Sequence, residues 1–218
     1  MSALTFDIET TVTKNEEVIK KLAESIRPPA QIKKPESIDK WMDENYDQAL
    51  KDRIADTALS GMYVHVTCIA VHCYDEIYST SKNMTESDCL LWFHEIARDH
   101  NIFCGHNIHG FDLKFLKQRS IILDMKPAKR TWEAMNAKPW DSCIRDTMLM
   151  WSQDKNQMIG LDTLCWILGI DRGDTSITGS ETAALWETDP QKVIDKCVND
   201  VRKTVAVYNK LTFNDSVF

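Results

Sequence analysis

The alternation of hydrophobic and polar positions predicts a strand, a long polar helical segment, a hairpin and then helices with one apolar face. Residues 3–9 form a mostly apolar run that is typical of a buried strand. Two charged segments with helical spacing follow at 15–26 and 37–59, and the Arg-Pro-Pro sequence at 27–29 ends the first of them. We expect residues 12–60 to form a helical insertion on the outside of the molecule.

Strand and helix signals alternate through the middle of the chain. Residues 63–70 alternate in the manner of a strand, and a hairpin partner is predicted near 76–81. Thr85 and Asp88 form a capping-box pattern, which opens a helix that extends to about residue 99. The remaining predicted elements are a short strand and four helices, at 101–107, 111–120, 146–153, 161–168 and from Pro190 onward.

The last predicted helix carries an apolar stripe along one side. Its members recur at a spacing of three to four residues and are Val193, Cys197, Val201, Val205 and Tyr208. A helix with such a stripe buries it against another element. Together with the predicted strands, this pattern indicates an α/β protein with a mixed central sheet flanked by helices.

Composition narrows the class of protein. The 218 residues suit one domain, and we expect a single unit over 1–218. No apolar run reaches the length of a membrane span, and the N-terminus lacks the features of a signal peptide, so we expect a cytoplasmic protein. The seven Cys are odd in number and form no CxxC pair, which favours reduced, buried thiols over disulfides or a zinc site. The net charge of −7 argues against binding nucleic acid by charge alone, but it is compatible with an enzyme whose acids hold metal ions.

Two carboxylates stand close together in the first predicted strand. Side chains two positions apart share a strand face, so Asp7 and Glu9 point to the same side. Like charges this close raise each other's pKa unless a positive charge lies between them. The pair is either a solvated strand end or half of a divalent-metal site.

Two further acids are candidates for the same chemistry. Asp112 opens a predicted helix, where a carboxylate also interacts favourably with the helix dipole. Asp200 lies beside the apolar stripe of the last helix, and Lys196 precedes it by one turn on the same face. The alternatives are that Asp112 is an ordinary first-turn aspartate, and that Lys196 and Asp200 belong to a solvated side of the last helix together with Lys192 and Lys203.

Three segments resemble the exonuclease motifs of the DEDD superfamily, the DnaQ-like 3′–5′ exonucleases with a ribonuclease-H-like fold. They are FDIET at 6–10, HNIHGFD at 106–112 and CVNDVRKTVAVY at 197–208. The sequences of these motifs are most similar to those of the exonuclease domains of family B DNA polymerases, including predicted stand-alone members. Segments between the motifs also resemble that family, namely DTMLMW at 146–151, GLDTLCWILGI at 160–170 and ITGSE at 177–181.

The resemblance implies a metal site. In that family the matching acids bind two divalent cations, Mg²⁺ or Mn²⁺, which activate water and stabilise the leaving 3′ oxygen. The residues that match are Asp7, Glu9, Asp112 and Asp200.

The third motif departs from the family pattern. Relatives carry a Tyr four residues before the last Asp or a His five residues before it, and here these positions are Lys196 and Asp195. We expect Lys196 to replace the Tyr by holding the attacking water or the phosphate. The alternatives are that His106 or His109 assists, or that the enzyme is slow or inactive.

The resemblance also implies contacts with the terminal nucleotide. The helical spacing of Phe111 favours a position in the core over stacking on a base, and Asp146 is interpreted as a helix cap rather than a further site acid. The predicted nucleic-acid contacts are Thr10, Thr11, Met62, His106, Asn107 and Phe111.

These features lead to the hypothesis of a stand-alone, metal-dependent 3′–5′ exonuclease acting on single-stranded DNA 3′ ends. It would serve a DNA polymerase or replication protein in trans, in a bacterial or phage-infected cell. The alternatives are an RNA 3′–5′ exoribonuclease and a catalytically weak module that binds nucleic acid or a protein partner.

Overall fold

A five-stranded mixed sheet lies at the centre of the computed structural model, which describes residues 3–152, 157–179 and 181–213. The strands are β1 (Leu4–Thr10), β2 (Val66–Cys73), β3 (Glu76–Ser79), β4 (Phe103–Gly105) and β5 (Ile144–Asp146). Their order across the sheet is β3-β2-β1-β4-β5. The pairs β1–β2 and β2–β3 are antiparallel, whereas β1–β4 and β4–β5 are parallel. The predicted mixed sheet is therefore confirmed.

Helices cover both faces of this sheet. The long final helix packs on one face, and the helices that follow β3 and β4 pack on the other. In chain order the helices are α1 (Glu16–Ser25), α2 (Pro35–Asp56), α3 (Glu86–Ala97), α4 (Asp112–Ile122), α5 (Lys129–Met135), α6 (Thr147–Ser152), α7 (Leu161–Leu168), α8 (Thr182–Thr188) and α9 (Pro190–Leu211). A short 3₁₀ helix, Thr57–Leu59, follows α2.

The two faces of β1 have different roles. Leu4, Phe6 and Ile8 are buried in the larger hydrophobic core, where the ring of Phe6 contacts that of Phe93 with centroids 4.9 Å apart. The opposite face carries Asp7 and Glu9 toward α9. Strand alternation therefore produces an apolar anchor and a charged face from one short segment.

Several predicted elements are confirmed, with small shifts of their ends. The capping box at Thr85 is present, since Asp88 N–H donates to the Thr85 hydroxyl and the Asp88 carboxylate accepts from Thr85 N–H. β2 begins at Val66 rather than at 63, because Tyr63 N–H donates to the Ser60 carbonyl in a turn. The predicted helix at 146–153 is α6, with Asp146 in β5; residue 153, like Ser180 of ITGSE, lies outside the described residues.

Three short elements were not predicted. They are β5, α5 and α8, with three, seven and seven residues. Segments of this length contain too few positions to show a clear period.

The segment between β1 and β2 contains α1 and α2. Neither helix has a fully buried residue, which agrees with their charged sequences. Among the described residues, no helix combines the length and apolar character needed to cross a membrane.

Candidate metal centre

Three carboxylates from the two ends of the chain converge beside the middle of the sheet. Asp7 and Glu9 project from β1, and Asp200 projects from α9. Each supplies an oxygen that lies within 4.8 Å of the oxygens of the other two. The register of β1 against β2 shifts between Glu9 and Thr10, as at a β-bulge, a feature that often occurs next to functional sites.

The apolar stripe of α9 brings Asp200 to this position. Val193, Cys197 and Val201 are buried against Cys68 and Ala70 of β2, whose small side chains let the helix approach closely. The Cys197 thiol also lies 3.3 Å from the main-chain oxygen of Asp7. The predicted stripe is therefore the contact that sets the helix against the acids.

Asp112 reaches the same region from the first residue of α4. It is buried, and its Oδ1 accepts a hydrogen bond from Ile8 N–H at 3.2 Å. β4 pairs with β1 only at Leu4 and Thr5, so Asp112 supplies the partner for this later N–H group. The carboxylate stands outside the group of three but adds its negative charge to the field at Asp7.

Lys196 lies between two of the acids. Its ammonium nitrogen is 2.6 Å from Glu9 Oε1 and 2.7 Å from Asp200 Oδ2, and only 16% of its side chain is exposed. The alternative of a solvated Lys–Asp pair on the surface of α9 is therefore wrong. Lys192, one turn earlier, is exposed and pairs with Asp189 instead.

A second lysine binds the other oxygen of Asp200. Lys203 is 3% exposed, and its Nζ lies 2.6 Å from Asp200 Oδ1 and 2.5 Å from Asp162 Oδ1 at the start of α7. The sequence reasoning placed Lys203 on a solvated side and missed this role. The available signal was its position three residues after Asp200, which puts both on neighbouring turns of one helix face.

Burial and mutual repulsion raise the pKa of Asp7, Glu9 and Asp112. Burial is the main cause for Asp7, whose pKa lies well above its usual range, and Asp200, Asp112 and Glu9 add to the effect. Burial likewise raises the pKa of Asp112. Burial also raises that of Glu9, although Lys196 opposes the shift. Hard oxygen donors that converge and repel one another fit a divalent-cation site.

The charge state of Lys196 is fixed by the same acids. Burial alone lowers the pKa of an amine, but Glu9, Asp200 and Asp7 outweigh this effect and raise the pKa of Lys196. The side chain is therefore an ammonium at neutral pH, which suits a hydrogen-bond donor and not a general base.

The imidazole rings of His106 and His109, the two histidines of the second motif, form hydrogen bonds with other groups of the protein. His106 Nε2 donates to the Ile159 carbonyl at 2.8 Å, and its Nδ1 lies 2.9 Å from the Thr147 hydroxyl. His109 Nε2 donates to the Ala137 carbonyl at 3.0 Å. Among the described residues, neither ring forms a hydrogen bond with the four site carboxylates, which weakens the alternative in which one of them activates water.

Asp146 holds the turn that carries these histidines. It accepts from the N–H groups of Met148 and Leu149 at the start of α6, which confirms the predicted helix cap. It also accepts from the N–H groups of Asn107 and His109, at 3.0 and 3.2 Å. The cap thus also fixes the loop before Asp112.

The residues predicted to contact nucleic acid differ in their exposure. Thr10 and Thr11 are buried, and the Thr10 hydroxyl donates to the Ala58 carbonyl at 2.8 Å. Phe111 is half-buried against Phe115, with ring centroids 5.6 Å apart, and Asn107 adopts a left-handed conformation with φ of 63°. Met62, with 60% of its surface exposed, presents the most accessible side chain of the set.

The loop that carries Met62 is anchored to α4 and α3. Arg119 donates to the Gly61 carbonyl at 3.0 Å and pairs with Glu86 through two hydrogen bonds of 2.7 and 2.8 Å. Gly61 N–H in turn donates to the Gln118 side chain at 3.1 Å. These contacts hold the exposed Met62 on a fixed support.

A cleft opens beside the two lysines. Its volume is about 340 Å³, within the range of small-ligand sites. Its lining includes Lys196, Asp200 and Lys203, together with residues 160–163, 174–175 and 177–179. A larger groove of about 680 Å³ beside Met125 and Trp132 contains none of the site acids.

Comparison with known proteins assigns the family. A sequence-family model described as a predicted 3′–5′ exonuclease related to the exonuclease domain of PolB matches residues 60–217. The chain belongs to this family. The matched region includes Asp112, Lys196 and Asp200, and it begins after β1, which carries Asp7 and Glu9.

The fold is similar to part of a DNA polymerase. The family B DNA polymerase from the hyperthermophilic archaeon Pyrobaculum calidifontis matches 96% of this chain with a TM-score of 0.57 and 16% sequence identity. The chain spans 24% of that polymerase. This likeness confirms the predicted ribonuclease-H-like fold. Among curated proteins, no significant sequence match was found.

Proposed function

We propose that the protein is a metal-dependent 3′–5′ exonuclease that releases nucleoside monophosphates from DNA 3′ ends, with single strands as the preferred substrate. The observation that carries this proposal is the convergence of Asp7, Glu9 and Asp200, with Asp112 close enough to raise the pKa of Asp7. Family membership supports the nuclease class. The preference for DNA and for single strands is part of the proposal.

Four carboxylates would hold the metal. Asp7, Glu9, Asp112 and Asp200 supply hard oxygen donors of the type that Mg²⁺ and Mn²⁺ prefer. Two such ions, when bound, supply a nucleophilic hydroxide and stabilise charge on the leaving 3′ oxygen. The protein's own contribution is to hold these acids in a partly buried cluster, where electrostatic interactions are stronger than in water.

Lys196 takes the role of the missing Tyr or His in this proposal. Its ammonium remains charged, so it donates hydrogen bonds to the attacking water or to a phosphate oxygen. Lys203, held by Asp162, orients the carboxylate of Asp200.

The terminal nucleotide would lie near the end of β1. In this proposal Thr10 and Thr11 border the nucleotide, with the Thr10 hydroxyl bound to the Ala58 carbonyl and Thr11 N–H bound to the His65 carbonyl. Exposed Met62 contacts the last base. His106, Asn107 and Phe111 border the nucleotide from the second motif.

We propose that this protein acts in trans for a separate DNA polymerase or replication protein. The chain spans only 24% of the similar polymerase, so the polymerase reaction is not carried over to it. We propose that it acts on DNA 3′ ends in a bacterial or phage-infected cell.

The experiment that tests the function compares labelled single-stranded DNA and RNA with free 3′ ends, in Mg²⁺, Mn²⁺ or chelator. We expect stepwise shortening of the DNA with release of nucleoside monophosphates, abolished by chelator and by Asp7→Ala. Cleavage of circular single-stranded DNA would identify an endonuclease instead. Preferential loss of RNA would favour the exoribonuclease, and binding without hydrolysis would favour the weak binding module.

A further inference from the structure

The space between Glu9 and Asp200 is filled by the protein's own cation. We propose that the Lys196 ammonium and one divalent ion are alternative occupants of this space, so that full metal loading displaces Lys196 into the adjacent cleft. This inference rests on the proposed function in one respect: it takes the four acids to be the metal site. It adds a competition between a side chain and a cation that the family assignment does not contain.

The contacts of Lys196 make joint occupancy unfavourable. Its Nζ lies 2.6 Å from a Glu9 oxygen and 2.7 Å from an Asp200 oxygen, so it bridges two of the three clustered carboxylates. Mg²⁺ binds carboxylate oxygens at about 2.0–2.1 Å. An ion that used these same two oxygens would therefore lie close to the ammonium and be repelled by it.

The charge balance of the site points the same way. Lys196 forms ion pairs with two of the four site acids, whereas Lys203 forms one with Asp200 and another with Asp162. Because Asp162 offsets the charge of Lys203, Lys196 is the cation that most reduces the negative charge of the four acids. A second ion is therefore attracted more strongly once the Lys196 ammonium leaves the carboxylates.

The cleft next to Lys196 offers space for its displaced side chain. Its side chain lines this cleft of about 340 Å³, and it keeps 16% exposure there. Its long stem allows the ammonium to move while the helix stays in place. Displacement into the cleft would keep the positive charge next to the site acids, because Asp200 also lines the cleft.

Lys203 provides a matched contrast on the same helix. It also binds Asp200, but its second partner is Asp162, which is not one of the four acids. At 3% exposure it is enclosed and does not bridge two metal-binding carboxylates. We expect Lys203 to remain in place when metal binds.

The test measures Mn²⁺ binding to the full chain by calorimetry and electron paramagnetic resonance, without nucleic acid. We expect wild type to bind one ion more tightly and a second more weakly. Lys196→Met should tighten the weaker site about tenfold, since it removes one adjacent positive charge. Lys203→Met should change that site much less, and exposed Lys192→Met should leave it unchanged.

An unchanged weaker site in Lys196→Met, or equal tightening in Lys203→Met, would overturn the proposal. If Lys196→Met fails to fold, amine labelling of wild type read by mass spectrometry decides the matter. Labelling of Lys196 should rise as the second ion binds while that of Lys203 stays low, and constant labelling of Lys196 would contradict displacement. Because no substrate is present, a protein that proves inactive as a nuclease still gives a clear result.

Discussion

Asp112 accepts a hydrogen bond from the main-chain N–H of Ile8 at 3.2 Å, and the two residues are 104 positions apart in the sequence. This bond joins the first turn of α4 to β1 next to the acids. One carboxylate therefore contributes both to the fold and to the charge of the site.

Two substitutions of Asp112 distinguish its effect on stability from its effect on activity. Asp112→Asn keeps an acceptor for Ile8 N–H but loses the charge, whereas Asp112→Ala loses both. We expect the alanine variant to unfold about 1–3 kcal/mol more easily than the asparagine variant, because a buried N–H group loses its partner. Urea unfolding in the presence of chelator measures this difference. Both variants should lack nuclease activity, and equal stability of the two would contradict a structural role for the bond.

Asp7 is predicted to destabilise the protein when metal is removed. Its raised pKa means that the folded state favours the protonated form, so the charged form costs stability above the ordinary pKa of 3.8. Asp7→Asn should therefore melt higher than wild type at pH 7 in chelator, by about 2–4 °C for each kcal/mol of relief. The advantage should shrink as the pH falls toward 4, where wild type becomes protonated.

Manganese should reverse the order of these two proteins. Saturating Mn²⁺ stabilises the folded form that binds it, so wild type should gain more than Asp7→Asn. Thermal melts with and without metal check this expectation. A metal-free Asp7→Asn protein that melts lower than wild type at pH 7 would show that repulsion does not dominate at Asp7.

The sequence predicted those parts of the site that depend on local periodicity. Strand alternation put Asp7 and Glu9 on one face, and the stripe of α9 predicted which side of that helix is buried. The i,i+4 spacing placed Lys196 beside Asp200. That Lys196 also reaches Glu9 depends on how α9 packs against β1, which spacing within one helix does not specify.

The parts that were missed depend on contacts between distant segments. Asp162 and Lys203 are 41 positions apart, and α7 must pack on α9 before they meet. Thr182 forms a hydrogen bond that partly offsets the raised pKa of Glu9. It lies in α8, a helix too short to show a period. His106 and His109 matched a motif, but their ring partners, Ile159 and Ala137, are set by tertiary structure.

We expect protonation of the buried His94 to lower the stability of the folded protein in mild acid. It is buried against Ser120, its Nδ1 has no hydrogen-bond partner among the described residues, and burial lowers its pKa from 6.5 to about 4. The unfolded chain therefore takes up a proton that the folded protein resists between these values. The free energy of unfolding that neutral His94 contributes is fully present above pH 6.5. It is lost as the pH falls toward 4, and the loss is about 3 kcal/mol in all.

His94→Gln tests this titration, because glutamine is polar and of similar size but does not ionise in this range. Chemical unfolding from pH 4 to 8 should show a smaller decrease in the free energy of unfolding for His94→Gln than for wild type. The exposed His65→Gln serves as the control and should follow wild type. Parallel curves for wild type and His94→Gln would show that His94 does not control acid sensitivity.

Lys196 is predicted to be required for turnover. Its side chain lies beside two site acids and also lines the adjacent cleft, so its ammonium can donate a hydrogen bond to water or phosphate next to the metal-loaded acids. Loss of such a donor typically costs about a hundred- to ten-thousand-fold in rate. Lys196→Ala should lower kcat by this order while DNA binding stays nearly constant, and Lys196→Tyr should recover part of the rate. Single-turnover hydrolysis of labelled single-stranded DNA in Mg²⁺ measures both effects.

The pH dependence of this reaction distinguishes a charged donor from a base. Because an ordinary lysine stays protonated well above neutral pH, the wild-type rate should show no loss from deprotonation of this lysine up to about pH 9. Lys192→Ala, which removes an exposed lysine one turn earlier on α9, should retain the wild-type rate. An alanine variant at Lys196 with the wild-type rate across the pH range would contradict the role of Lys196. The donor would then have to be sought at His106 or His109, whose release from Ile159 and Ala137 would be required first.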